Sequence, residues 1–225
     1  MNDWSAGLWH RLGRQLAAPS GRGGRLVGHL MVPLNRDPNR RAIDALAPVA
    51  GESYLEVGFG PGAGLAEIGR RAPQCRLSGI DRSPAMLDLA WRRCRQATAG
   101  RPPDLRIGSA ESLSWPDASF DGVLAVNVAY FFDGAGRAVE EIRRVLKPGG
   151  RLVVYVTDRA TMRHWPFAGQ STHRTFDEGE LRAMLVNGGF HPEDQALTVV
   201  RLPFGIVGWI AVAKRPAVAA AALSA

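Results

Sequence analysis

Between residues 53 and 156, short apolar runs rich in β-branched residues alternate with longer amphipathic ones. The short runs are "SYLEV", "CRLSGI", "DLRIGS", "FDGVLAVNV" and "RLVVYV"; the longer ones are "GAGLAEIGRRA", "SPAMLDLAWRRCRQA" and "AGRAVEEIRRVL". A strand apolar on both faces must be covered on both faces, and strands that alternate with helices join into parallel sheets by right-handed crossovers. Downstream, "TFDEGELRAMLVNGGF" reads as a helix with a capping box expected at Thr175 and Glu178. Residues 196–201 and 205–213 read as two closing strands. The expected fold is α/β: a three-layer sandwich whose seven-stranded, mostly parallel sheet has an antiparallel last strand and helices on both faces.

Upstream of this pattern, residues 4–17 predict an amphipathic helix, with Trp4, Leu8, Leu12 and Leu16 on one face. Further helices are expected over 26–32 and 39–49, the latter capped by Asp37 or Asn39. The implied division is an N-terminal helical cap (1–38), a main domain (39–214) and a flexible alanine-rich tail (215–225). A hydrophobic content of 46% is enough for a substantial core. The longest apolar tract, "FGIVGWIAVA", falls well short of the ~20 residues of a membrane span. No basic start followed by an apolar core marks a secretory signal, so a cytoplasmic protein is expected.

Two cysteines, Cys75 and Cys94, make neither a disulfide framework nor a zinc cluster, and no metal site is read. Cys94 lies in "WRRCRQ", where neighbouring arginines could lower its pKa, but the favoured reading is two unpaired thiols in a reduced compartment. The net charge is +7, but the basic residues are spread over many segments without a block of five like charges. That pattern is a property of composition rather than the footprint of a polyanion.

On a doubly wound sheet, ligands bind outside the carboxyl ends of the strands, at the topological switch point. The residues just after each strand therefore carry the chemistry. After the first come Gly58, Gly60, Gly62 and Gly64, with a helix starting inside the glycine run and aiming free N–H groups at whatever binds there. The spacing Gly58-x-Gly60-x-x-Ala63 meets the dinucleotide fingerprint. After the second strand comes Asp81, able to accept from both hydroxyls of a ribose. These features fit NAD or any other adenosine-bearing cofactor. Glu56 is awkward inside an apolar strand unless something polar waits at its end. Ser109, Ala110 and Glu111 follow the third strand, Asn127 and Tyr130 the fourth, and Thr157 and Asp158 the fifth.

"YLEVGFGPGAG", "GIDRSPAMLDLA", "GSAESLSWPDASFDGVLAVNVAYFF" and "EIRRVLKPGGRLVV", in this order, resemble the consecutive motifs of class I S-adenosylmethionine-dependent methyltransferases, closest to the UbiE-like small-molecule branch. The likeness spans roughly residues 40–190. It implies a Rossmann-like sandwich that binds S-adenosylmethionine and releases S-adenosylhomocysteine. It gives Glu56, Gly58, Gly60 and Gly62 to the amino-acid part of the cofactor and Asp81 to its ribose. Arg82, Met86, Ala110 and Glu111 would surround the adenine, and Asn127 with Val128 would face the methionine end and its methyl group. One departure is Gly108-Ser109-Ala110 where the family commonly has Gly-Asp-Ala. It implies altered polarity beside the adenine.

The resemblance implies in-line methyl transfer to an O, N or C nucleophile of a small molecule. A hydroxyl acceptor would need a base; the candidates are Tyr130, His29, and His164 and His173 in the long segment after the fifth strand. Rival readings are an NAD-dependent oxidoreductase, which leaves Glu56 unexplained, and a non-catalytic S-adenosylmethionine-binding protein. A nucleic-acid methyltransferase is disfavoured. Enzymes that methylate base amino groups usually carry Asn/Asp-Pro-Pro-aromatic after strand four, whereas Asn127-Val128-Ala129-Tyr130 has no proline. A lipid acceptor stays open through peripheral membrane contact of the N-terminal helix, where Trp4 and Trp9 sit among basic residues. Monomer and homodimer are both compatible with the sequence.

Overall fold

The computed structural model describes residues 32–33, 35–98, 101–165 and 174–217. The helix expected over 4–17, most of that over 26–32, and the tail beyond 217 lie outside these residues. Seven strands, β1 (Ser53–Val57), β2 (Arg76–Asp81), β3 (Asp104–Ile107), β4 (Phe120–Val126), β5 (Leu146–Thr157), β6 (Gln195–Arg201) and β7 (Val207–Lys214), form one sheet in the order β3-β2-β1-β4-β5-β7-β6. The first five pair in parallel. β7 inserts antiparallel between β5 and β6. The expected sheet and its antiparallel last strand are both present.

Among the described residues, six helices flank it: α1 (Arg36–Leu46), α2 (Ala63–Arg71), α3 (Pro84–Ala97), α4 (Arg137–Val145), the single turn α5 (Arg159–Met162) and α6 (Glu178–Asn187). The two-residue period of the strands sorts their side chains into two cores. Leu55, Val57, Val123, Ala125, Leu152 and Val154 pack with Ile142 of α4 and Leu181 of α6. Tyr54, Leu124, Val126, Val153 and Tyr155 pack with Ile43 of α1, Leu65 of α2 and Met86 and Cys94 of α3. Each fully buried aliphatic side chain contributes roughly 1.5–3 kcal/mol, so the central strands are held from both sides.

Several local expectations are corrected. The third helix begins at Arg36 after an N-cap at Asn35, so Asp37 and Asn39 lie inside it. Pro38 is tolerated because first-turn N–H groups need no helical partner, and the helix ends at Leu46 because Ala47 precedes Pro48. The capping box of α6 is Asp177 with Glu180, two residues later than expected. Thr175 is engaged elsewhere, accepting from Arg159 Nε at 3.1 Å. Phe176 is buried in an isolated bridge to Asp158, which keeps the chain extended up to that point. Arg215, the first residue of the expected tail, is built into the domain. Its Nη1 donates to the carbonyls of Arg143, Arg144 and Leu146, the unsatisfied end of α4.

Cys75 and Cys94 are both free and buried, as the favoured reading of two unpaired thiols has it. On α3 the side chains of Trp91, Arg92 and Arg95 face out, while Cys94 is fully buried against α2. Burial pushes its thiol up to about 12, overriding the arginines.

Candidate active site

β1 lies between β2 and β4, so the sheet's switch point falls at its carboxyl end. There the chain turns through three left-handed glycines, Gly58 (φ 72°), Gly60 (φ 48°) and Gly62 (φ 76°), before α2 starts. Gly58 also has to be a glycine for space: a Cβ there would lie 2.5 Å from Cγ2 of Val128.

Glu56 is 3% exposed. Its Oε2 accepts from Leu65 N at 2.8 Å. The N-cap of α2 is Gly62, which has no side chain to cap with, so the carboxylate from β1 serves the helix end instead. This is possible because Gly64 leaves room; a Cβ there would stand 2.3 Å from Oε1. Burial pushes the Glu56 carboxyl up to about 8, opposed by the Leu65 N–H and assisted by repulsion from Asp81.

Asp81 ends β2 and is hydrogen-bonded to the glycine loop: Oδ2 accepts from Gly60 N and Oδ1 from Ser83 N, both at 2.8 Å. Burial raises its carboxyl above the usual range against these two N–H groups. Beyond it, Arg82 Nη2 donates to Ser109 Oγ at 2.8 Å and to Glu111 Oε2 at 2.9 Å, and Ser109 donates to the same carboxylate. Ser109 thus keeps a polar role where the family commonly has an aspartate. Ala110 is buried beside this network, while Met86 is 1% exposed and packs in the core below.

At the end of β4, Asn127 adopts φ 54°, a left-handed conformation that asparagine tolerates better than most residues. Its Nδ2 donates to Asn35 Oδ1, and its Oδ1 accepts from Tyr130 Oη, each at 2.8 Å. Tyr130 Oη in turn accepts from Thr157 N at the end of β5. Burial raises the Tyr130 hydroxyl well above its ordinary range, which holds it protonated. Of the histidine candidates, His164 is exposed in the turn after α5, and His29 and His173 lie outside the described residues.

Glu56, the glycines, Asp81, Arg82, Ala110, Glu111, Asn127 and Val128 therefore gather along one edge of the sheet, with Met86 beneath. Sequence reasoning missed Asn35. An asparagine one residue before a helix start is a capping signal, and reading it would have moved that boundary. It also missed Glu56 as a remote cap, because nothing in the sequence links the acid of β1 to the N–H of Leu65 nine residues on.

A doubly wound sheet with this loop and this carboxylate defines a nucleoside-cofactor protein. Residues 55–154 match the family model described as "Methyltransferase domain". The chain is 35% identical over 136 residues to the uncharacterized methyltransferase YdaC of Bacillus subtilis, covering 60% of this chain and 72% of that protein. It is 37% identical over 115 residues to the demethylmenaquinone methyltransferase of Tropheryma whipplei, covering 51% of this chain and 46% of the enzyme. The chain thus spans about half the length of that quinone-modifying relative. A chain from the complex between the Trm112 methyltransferase activator of Haloferax volcanii and a methyltransferase has the same fold. Its TM-score is 0.67 at 19% identity, covering 84% of this chain and 93% of that one. The protein belongs to the S-adenosylmethionine-dependent methyltransferases. Among the described residues, no helix is long and apolar enough to cross a membrane.

Proposed function

We propose that the chain methylates a small molecule at O, N or C, with the cofactor held along the carboxyl ends of β1–β4. The observation that carries this reading is the join between Asp81 and the glycine loop, with the buried Glu56 behind it. The residues fit the cofactor. Each oxygen of Asp81 has lone-pair capacity beyond its one backbone contact, so a ribose diol can share it. Among the described residues, no atom lies within 4 Å of where a Cβ on Gly60 would stand, so they leave the loop open on that side. A buried carboxyl raised to about 8 gains from a nearby cation, whether ammonium or sulfonium.

Glu56, Gly58, Gly60 and Gly62 would hold the amino-acid part and Asp81 the ribose. Arg82, Ala110 and Glu111 would line the adenine, backed by Met86. Asn127 and Val128 would bound the side from which the methyl group leaves. When bound, S-adenosylmethionine supplies an electrophilic methyl group on its sulfonium, which a nucleophile displaces in line. The chain's own contribution is orientation and dryness. Fixing two reactants is worth roughly 7–11 kcal/mol, and burial of the strand ends excludes water. Tyr130 braces the strand ends instead of taking a proton, since its hydroxyl is hydrogen-bonded on two sides.

The absence of an Asn/Asp-Pro-Pro-aromatic run after β4 supports a small acceptor over a nucleobase, and the menaquinone-pathway relative makes an apolar quinone precursor the first to try. The test is transfer of label from methyl-tritiated S-adenosylmethionine into a metabolite extract, bulk RNA and anionic liposomes in parallel. Label in the metabolite fraction is expected. Label confined to RNA or lipid would overturn the small-molecule reading, and firm cofactor binding without transfer to any pool would favour a non-catalytic binder.

A further inference from the structure

We infer that Tyr130 is a positioning residue that fixes, through Asn127, the edge of the site given above to the methionine end of the cofactor. The inference rests on that reading. It comes from the direction of a hydrogen-bond relay.

A backbone N–H can only donate, so at Thr157 the Tyr130 hydroxyl must accept. Its single proton goes to the neighbouring Oδ1 of Asn127. The carboxamide of Asn127 must therefore present oxygen to the tyrosine and nitrogen to Asn35, whose Oδ1 accepts. The donors run in one order: Thr157, Tyr130, Asn127, Asn35. Asn35 could not set this order alone, because two facing carboxamides can flip together at nearly constant shape. The backbone N–H at the end of β5 is what breaks the tie, and the tyrosine hydroxyl carries its polarity to β4. The relay also ties the residue that starts α1 to the ends of β4 and β5.

The test is calorimetric titration of S-adenosylhomocysteine into the full chain. Tyr130→Phe is expected to weaken binding on the order of tenfold. Asn127→Gly, which suits the positive φ, should weaken it about as much. If the tyrosine acts through the asparagine, the double variant binds no more weakly than Asn127→Gly alone. Losses that multiply in the double variant, or a Tyr130→Phe protein that binds like the wild type, would overturn the proposal.

Should Tyr130→Phe fail to fold, two isosteric changes decide. Asn35→Asp keeps an acceptor facing Asn127 and should bind within about twofold of wild type, whereas Asn35→Asp combined with Asn127→Asp sets acceptor against acceptor, with no carboxamide left to flip, and should lose on the order of tenfold. Equal responses would refute the relay. The same asymmetry is expected in melting temperature, lowered by the double change and not by Asn35→Asp alone. That readout tests the relay in a protein that binds no S-adenosylhomocysteine, so failure of the cofactor reading and failure of the relay are told apart.

Discussion

The ends of β1 and β2 and the ends of β4 and β5 share one edge of the sheet but are built differently. At β1 and β2, each carboxylate is satisfied by nearby backbone: Glu56 by Leu65, and Asp81 by Gly60 and Ser83. At β4 and β5, side chains carry the contacts across long stretches of chain: Asn127 donates to Asn35, and Tyr130 donates to Asn127 and accepts from the backbone N–H of Thr157. The first half is a local template in which no part can move alone. The second is a set of linked contacts that can be loosened by degrees. Damage to the first should be all-or-none; damage to the second should be graded.

The largest effect is expected from Gly64→Ala. The added Cβ would overlap Glu56 inside a packed helix–strand contact and displace the cap from Leu65. Overpacking of this kind costs about 3 kcal/mol, and S-adenosylhomocysteine binding should be lost with it. Urea denaturation and calorimetry check both. A stable variant that still binds would show that the template half yields by degrees like the other, and the contrast would fail.

Glu56→Gln sharpens the same contrast through pH. In the folded chain burial holds this carboxyl at about 8, against an ordinary value of 4.5. Between those values the folded chain keeps a proton that the unfolded chain has lost, so Glu56 makes stability fall as pH rises from about 5 to about 8. Each pKa unit of separation corresponds to about 1.4 kcal/mol. Melting curves across this window should fall less steeply in the glutamine variant; parallel curves would mean that Glu56 is ionised and paired in the free protein.

The smallest effect is predicted at Tyr155, on β5 near the second half of the site. Its hydroxyl is buried with no hydrogen-bond partner among the described residues. Tyr155→Phe removes an unsatisfied polar group and should raise stability by about 1 kcal/mol, seen as a higher denaturation midpoint. A loss of stability would reveal a hidden partner for the hydroxyl.

The contrast between the halves also accounts for what could be read from the sequence. The strands, the glycine turn and Asp81 were legible because their causes are local. A β-branched run sets a strand, positive φ demands glycine, and a carboxylate after β2 sits within reach of its own turn. The acid in "YLEV" was legible as an anomaly, though its first duty, capping α2 across Gly64, was not. The relay was hidden because Asn35 and Asn127 are 92 residues apart and nothing in either neighbourhood names the other. The surroundings of Cys94 were hard to read for a related reason. Adjacency in sequence placed charge beside the thiol, but the helical period turned the thiol inward and the charges outward.

Asp81 offers the most direct test of the central claim, that the joined ends of β1 and β2 hold the cofactor. S-adenosylhomocysteine should bind the wild-type chain at one site, and Asp81→Ala, checked for folding by its denaturation curve, should bind about 100-fold more weakly, as expected for losing two hydrogen bonds to a charged group. A folded Asp81→Ala protein with wild-type affinity would contradict the assignment of this site.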